Sequence, residues 1–230
     1  MTVHRGTLSI VATPIGNLED ITLRALRVLK EADAIYAEDT RVIAKLLARF
    51  DISNHVHRLD AATEGKKADE VIARLGAGEQ IAFVSDAGTP GISDPGARLV
   101  AAVRAALPET TIEAIPGASA VTAALSIAGL SSDSFTFLGF LPHKKGRQTM
   151  VKEIAASARP VVLYESPHRI LKLLAELSVA APGCRITVAR ELTKLHEELV
   201  AGTPQEVAHS LEKRGAVRGE FVVIVEPQGY

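Results

Sequence analysis

QIAFVSDAGTPGISDPG (80–96) joins a short run of buried-strand character directly to a loop holding three glycines, two prolines and two aspartates. In open α/β sheets, ligands bind beyond the carboxyl ends of the strands, where such a loop sits. Glycines there let backbone N–H and C=O groups approach a ligand, while Pro90 and Pro95 stiffen the turn. Asp94 and Pro95 fit the N-cap and first position of the following helix, a structural role that leaves GTPG unexplained. The loop lacks the Lys-Ser/Thr of a P-loop, and no G-x-G-x-x-G follows TLSIVAT (7–13). Nucleotide hydrolysis and a standard dinucleotide fold are therefore poorly supported.

Outward from this loop, β-branched runs alternate with helical patterns. TLSIVAT (7–13) precedes a helix over about 20–31, in which Ile21, Leu23, Leu26, Val28 and Leu29 form the apolar face. Strands are expected at DAIYAED (33–39), VHRL (56–59), QIAFVS (80–85) and TIEAI (111–115), with helices over 40–50, near 65–76 and near 95–107. The second half gives strands at SFTFLGF (134–140), PVVLYES (160–166), CRITVARE (184–191), 198–201 and GEFVVIVE (219–226). Helices there are expected over 118–129, to about 157, near 167–179 and over 204–214. This alternation predicts an α/β protein whose sheet has many parallel pairs and helices on both faces. No repeat or flexible linker separates the halves, so two closely packed domains, 1–116 and 117–230, are expected with a cleft between them.

Composition narrows the partners. The 230 residues carry 26 Lys+Arg against 27 Asp+Glu, a net charge of −1, so a polyanion must be held by a local patch. Aromatics are only 4% with no Trp, which argues against base stacking as the main mode of recognition. A single cysteine, Cys184, excludes an intramolecular disulfide and a multi-cysteine zinc site; no metal site is expected. MTVHRGTLSIVATP (1–14) has no long apolar stretch with a cleavage site, so a soluble cytoplasmic protein without membrane contact is expected. Residues before Pro116–Gly117 include 13 basic and 16 acidic side chains, those after it 13 and 11. Segment 143–169, with HKKGRQ (143–148), holds six Lys/Arg against Glu153 and Glu165. It is either a solvated loop or a phosphate contact.

Two further loops leave strand ends, ATPIGNLEDIT (12–22) and IPGASAVTAAL (115–125), and with 85–96 they converge on one sheet edge. AEDTR (37–41), YESPHR (164–169) and RELTKLHEE (190–198) end strands in mixed charge, suiting either ion-pair scaffolding or catalysis.

These segments, in this order and over nearly the whole chain, resemble the tetrapyrrole-methylase superfamily and, within it, the bacterial 16S rRNA (cytidine-2′-O)-methyltransferases. The resemblance implies two α/β domains with S-adenosylmethionine in the cleft between them, a homodimer, and methylation of a cytidine ribose 2′-hydroxyl in the decoding region of the small ribosomal subunit. It assigns donor binding to Pro14, Asp86, Gly88, Ile92, Ser119 and Ala120, and in the second domain to Tyr164, Leu192 and Glu220. Where related sequences carry a His- and Asn-containing stretch, this chain has LDAATE (59–64), of which only Glu64 matches. A ribose hydroxyl must lose its proton to attack a methyl group. Glu38, Asp39, Glu165, Glu191 and Lys194, each at an expected strand end, are candidates for that base or for orienting the hydroxyl. Lys144, Lys145, Arg147 and Arg169 are candidates for RNA contact, while Arg41 and Arg190 either hold phosphate or pair with neighbouring acids. Two alternatives share these features: methylation of a small tetrapyrrole, and a non-catalytic ribosome-associated module.

Overall fold

A computed structural model describes residues 6–131 and 133–227. The chain divides into two compact units, Met1–Ser119 and Ala120–Tyr230, slightly downstream of the Pro116–Gly117 boundary expected from the sequence.

The first unit holds β1 (Thr7–Val11), α1 (Leu23–Glu31), β2 (Ala34–Ala37), α2 (Thr40–Arg49), β3 (Val56–Arg58), α3 (Glu64–Gly76), β4 (Gln80–Val84), α4 (Ala97–Ala106) and β5 (Thr111–Ile115). Its sheet runs β3-β2-β4-β1-β5, and every pairing is parallel. Side chains alternate across each strand, so both faces must be covered. Tyr36, Ile81 and Phe83 point to the side of α3 and α4, packing with Val71, Leu75, Leu99 and Val103. Ile35, Ala82 and Val84 point the other way, onto Ala25 and Leu29 of α1 and Ile43, Leu46 and Leu47 of α2. In α1 the buried residues are Ala25 and Leu29, whereas Leu23, expected on the apolar face, is 87% exposed. The helix begins only after Thr22, whose side chain accepts a hydrogen bond from the Ala25 N–H, and this start turns Leu23 outward.

The second unit holds α5 (Ala120–Ile127), β6 (Thr136–Phe140), α6 (Arg147–Ala155), β7 (Val161–Glu165), α7 (Ile170–Ala180), β8 (Ile186–Arg190), β9 (Glu198–Gly202), α8 (Pro204–Lys213) and β10 (Phe221–Val225). Strand order is β6-β7-β10-β8-β9; only β6–β7 is parallel. The expectation of mainly parallel pairs thus fails here. A short connection returns β8 antiparallel into β9, and the C-terminal β10 inserts antiparallel between β7 and β8. Helices α6, α7 and α8 bury Val151, Ile154, Leu173, Leu177, Val207 and Leu211 against one face. Among the described residues no helix is long and apolar enough to cross a membrane.

The 85–96 loop enters α4 differently from the sequence expectation. The helix starts at Ala97 with Gly96 at its N-cap, and no side chain of the loop caps it. Instead the carboxylate of Glu64, on α3 and 4% exposed, accepts hydrogen bonds from the N–H groups of Gly96 and Leu99, both at 3.0 Å. Asp94 is thus not the cap: a buried anion at the positive end of α4 already satisfies those amides. Glu64→Ala should destabilise the protein by about 3 kcal/mol in denaturant titration, because two buried donors lose a charged acceptor. Glu64→Gln, which keeps one acceptor oxygen, should recover at least half of that loss.

Candidate functional site

Parallel pairing brings the carboxyl ends of all five strands of the first unit to one edge, and backbone hydrogen bonds join the three loops identified there. Thr13 and Gly88 exchange both of theirs, Thr13 N–H to Gly88 O at 2.9 Å and Gly88 N–H to Thr13 O at 3.0 Å. Thr89 Oγ1 donates to Ala118 O at 3.3 Å, bringing in the third loop. Gly88 has φ +74°, a left-handed conformation that glycine adopts without strain, and its missing Cβ would meet Ile15 and the Ala118 carbonyl. Of the donor-binding candidates in this unit, Pro14 and Gly88 are buried in that joint, Asp86 and Ile92 are exposed, and Ser119 is half-buried beside Ala118. Ala120 opens α5 in the second unit.

Four carboxylates gather at the same edge. Asp86 Oδ1 accepts from the Asp39 N–H at 2.9 Å, and Glu38 in turn accepts from the Asp86 backbone, so the ends of β2 and β4 hold each other. The remaining oxygen of Glu38, Oε2, is buried with no hydrogen-bond partner. Burial, followed by repulsion from Asp86, Asp94 and Asp60, pushes the Glu38 carboxyl above the usual range. Burial likewise raises Asp94, and partial desolvation of its carboxyl raises Asp86 although the residue as a whole is exposed. Asp39 differs. Its carboxylate caps α2 through the Arg41 N–H at 2.8 Å and chelates the Arg41 guanidinium, which holds it down at about 2. Such an anion is a weak proton acceptor at neutral pH, and Arg41 is occupied as its partner.

In the second unit the candidates fall into two clusters. Glu165, 1% exposed, accepts from the Ser166 N–H at 2.8 Å and from Arg169 Nε at 2.7 Å. Its other oxygen lies 3.6 Å from Arg147 Nη1, and Arg147 Nε donates to Glu176 Oε2 at 2.8 Å. Arg147 is 3% exposed, which corrects its assignment to RNA: the guanidinium turns inward because Glu165 and Glu176 compensate its charge. Arg169 also bonds inward, to Leu141 O at 2.9 Å, and this ties the start of the basic loop to the end of β7. Lys144 and Lys145 remain exposed. Tyr164 packs its ring against Phe137 and Phe140.

The other cluster joins Glu191, Lys194 and Glu220. Lys194 Nζ donates to Glu191 Oε1 and to Glu220 Oε2, both at 2.9 Å, and Glu191 Oε1 also accepts from the Glu220 N–H at 3.0 Å. Burial would raise Glu191, but hydrogen bonds from Lys194 and the Glu220 amide outweigh it and leave the carboxyl low. Burial would lower Lys194; its two carboxylate partners reverse this and keep the ammonium charged. Neither group is free to take a proton at neutral pH. Gly219, at φ +86°, makes room for Glu191, whose carboxyl occupies the space a Cβ would fill. Leu192, 8% exposed, sits in the same turn, where Glu191 and Thr193 both adopt positive φ.

The sequence reading gave no role to Glu176, Asp60 or Gly219, and noted Glu64 only as a residue that matches related sequences. Glu64 and Glu176 lie on helices whose exposed and buried faces a sequence does not separate at the level of one carboxylate. Gly219, directly ahead of a β-branched run, carried a legible turn signal.

Residues 7–208 match the family described as Tetrapyrrole (Corrin/Porphyrin) Methylases. A "Ribosomal RNA small subunit methyltransferase I" of Neisseria meningitidis serogroup B is 45% identical over 226 residues, covering 96% of this chain and 76% of that protein. Among solved structures, a cobalt precorrin-4 methyltransferase of cobalamin biosynthesis superposes with TM-score 0.70 at 18% identity, over 97% of this chain and 95% of that one. A uroporphyrin-III C-methyltransferase from Thermus thermophilus, solved with S-adenosyl homocysteine, gives 0.63 at 19% identity, over 96% of this chain and 97% of its own. The chain therefore belongs to the tetrapyrrole methylase family. Within that family it groups with the proteins named ribosomal RNA small subunit methyltransferase I.

The crowded carboxylates make stability depend on pH in a defined direction. Glu38 titrates higher folded than unfolded, so the folded protein binds its proton first as pH falls. The resulting destabilisation is present above the folded value and disappears below the unfolded one. Glu38→Gln should accordingly raise the thermal midpoint by a few degrees at pH 8 and leave it unchanged near pH 4.

Proposed function

We propose that this protein is an S-adenosylmethionine-dependent methyltransferase that methylates the ribose 2′-hydroxyl of a cytidine in the decoding region of 16S rRNA. The observation that carries this reading is the match along 96% of the chain to a protein named as a small-subunit rRNA methyltransferase. The edge of the first sheet supports it. A sulfonium donor is a cation, and Glu38, Asp86 and Asp94 form an acidic group with no salt bridge among the described residues, the nearby Arg41 being engaged by Asp39. Gly88 offers backbone in a turn where a side chain would intrude. These residues fit the donor, which supplies the electrophilic methyl group when bound.

What the chain contributes is position and proton transfer. Asp86 and the Thr13–Gly88 joint hold the donor loop, with Asp86 itself fixed by the Asp39 amide. Glu38 is the base. Its unpartnered Oε2 and raised proton affinity suit it to take the hydroxyl proton as the new oxygen–carbon bond forms. Asp39, Glu165, Glu191 and Lys194 position neighbouring backbone, because each is already committed to ion pairs or caps.

Incubation with labelled donor and small subunits from a strain lacking the modification should place label on a cytidine ribose. Label on a base, or labelled tetrapyrrole in its stead, contradicts the reading. Glu38→Gln should lower kcat by about 10²-fold or more while changing donor affinity only a few-fold. A loss smaller than about tenfold removes Glu38 as the base. Asp86→Ala should weaken donor binding in calorimetry before it alters kcat.

A further inference from the structure

We propose that the groove between α6 and α7 of the second unit is a docking surface for the phosphate backbone of RNA. The inference deepens the rRNA reading above and rests on it. The groove has a volume of about 760 Å³ and is lined by Gln148, Lys152 and Ala155 from α6 and by Lys172, Ala175 and Val179 from α7. Gln148, Lys152 and Ala155 fall at three- and four-residue spacing and so share one helix face. Alanines keep the floor shallow and wide, and a lysine rises from each wall.

The charge of this groove is not cancelled locally. Its one carboxylate, Glu176, is committed to the buried Arg147 at 2.8 Å and lies only at 4.0 Å from Lys172. Glu176 is thus shared between Arg147 and Lys172, and Lys152 has no ion-pair partner among the described residues, so cations exceed acids along the groove. Glu153 is on α6 but does not line the groove. Lys144 and Lys145 lie immediately before α6, and neither they nor Lys152 form an ion pair among the described residues. At the opposite edge of the same sheet, Arg190 and Arg214 pair with Glu198, and Lys194 pairs with Glu191 and Glu220. An excess of cations along a concave surface attracts a polyanion, and a phosphate chain exploits it through counterion release.

Fluorescence anisotropy of the full chain with protein-free 16S rRNA and with intact small subunits, across salt, tests this. Lys152→Gln/Lys172→Gln is compared with wild type and with Lys213→Gln, which removes an exposed cation on α8. The double variant should bind both RNAs about tenfold more weakly at low salt, and the slope of log Kd against log salt should fall by about two. Lys213→Gln and donor affinity should stay at wild-type values. An unchanged slope overturns the proposal. So does weakening toward intact subunits alone, which would place a ribosomal protein in the groove. Wild-type binding through the groove without label on any ribose would contradict the acceptor reading and leave the groove standing.

Discussion

Two backbone hydrogen bonds between Thr13 and Gly88 hold together the strand-end loops proposed to bind the donor. In a parallel sheet the strand ends share an edge, but the loops leaving them carry backbone groups that must find partners. Here the first and second loops satisfy each other, and Thr89 extends the joint to the third through Ala118. Glu64 anchors the far end of the second loop by accepting from Gly96 and Leu99. With its backbone committed in this way, the loop can present Asp86 and Gly88 in one conformation, so positioning is settled before a ligand arrives.

The near-zero net charge of the chain conceals two local imbalances. At the edge of the first sheet, burial raises the proton affinity of Glu38, Asp86 and Asp94, and repulsion from Asp86 adds to it at Glu38 and Asp94, a cost that an isolated structural loop would have no reason to carry. Along α6 and α7 of the second unit, lysines exceed their acidic partners: Lys152 has none among the described residues, and Lys172 shares Glu176 with Arg147. A cationic donor would relieve the first imbalance and a polyanionic acceptor the second. Other charges of the second unit are buried and paired, such as Arg147 with Glu165 and Glu176, and hold backbone in place.

Much of this was legible in the residues. The β-branched runs and turn clusters locate every strand, because period-2 burial and Gly/Pro punctuation are local signals. The convergence of 12–22, 85–96 and 115–125 followed from strand ends alone. Four things were not legible. Mixed pairing in the second sheet depends on where β10 inserts, a long-range choice. The inward turn of Arg147 depends on Glu165 and Glu176, far along the chain, so a basic loop residue that looked solvent-facing became a core ion pair. The α4 cap went to Glu64 over Asp94 because a tertiary contact outcompeted the local one. Likewise the choice of Glu38 over Asp39 needed geometry, since adjacent carboxylates differ only in whether Arg41 reaches them.

Amide hydrogen exchange on the full chain, with and without S-adenosylmethionine, tests the central claim most directly. If the edge of the first sheet is the donor site, exchange should slow in residues 13–17, 38–41 and 86–92, and remain unchanged in α6 and α7. Donor binding with no added protection in those three segments would contradict the account.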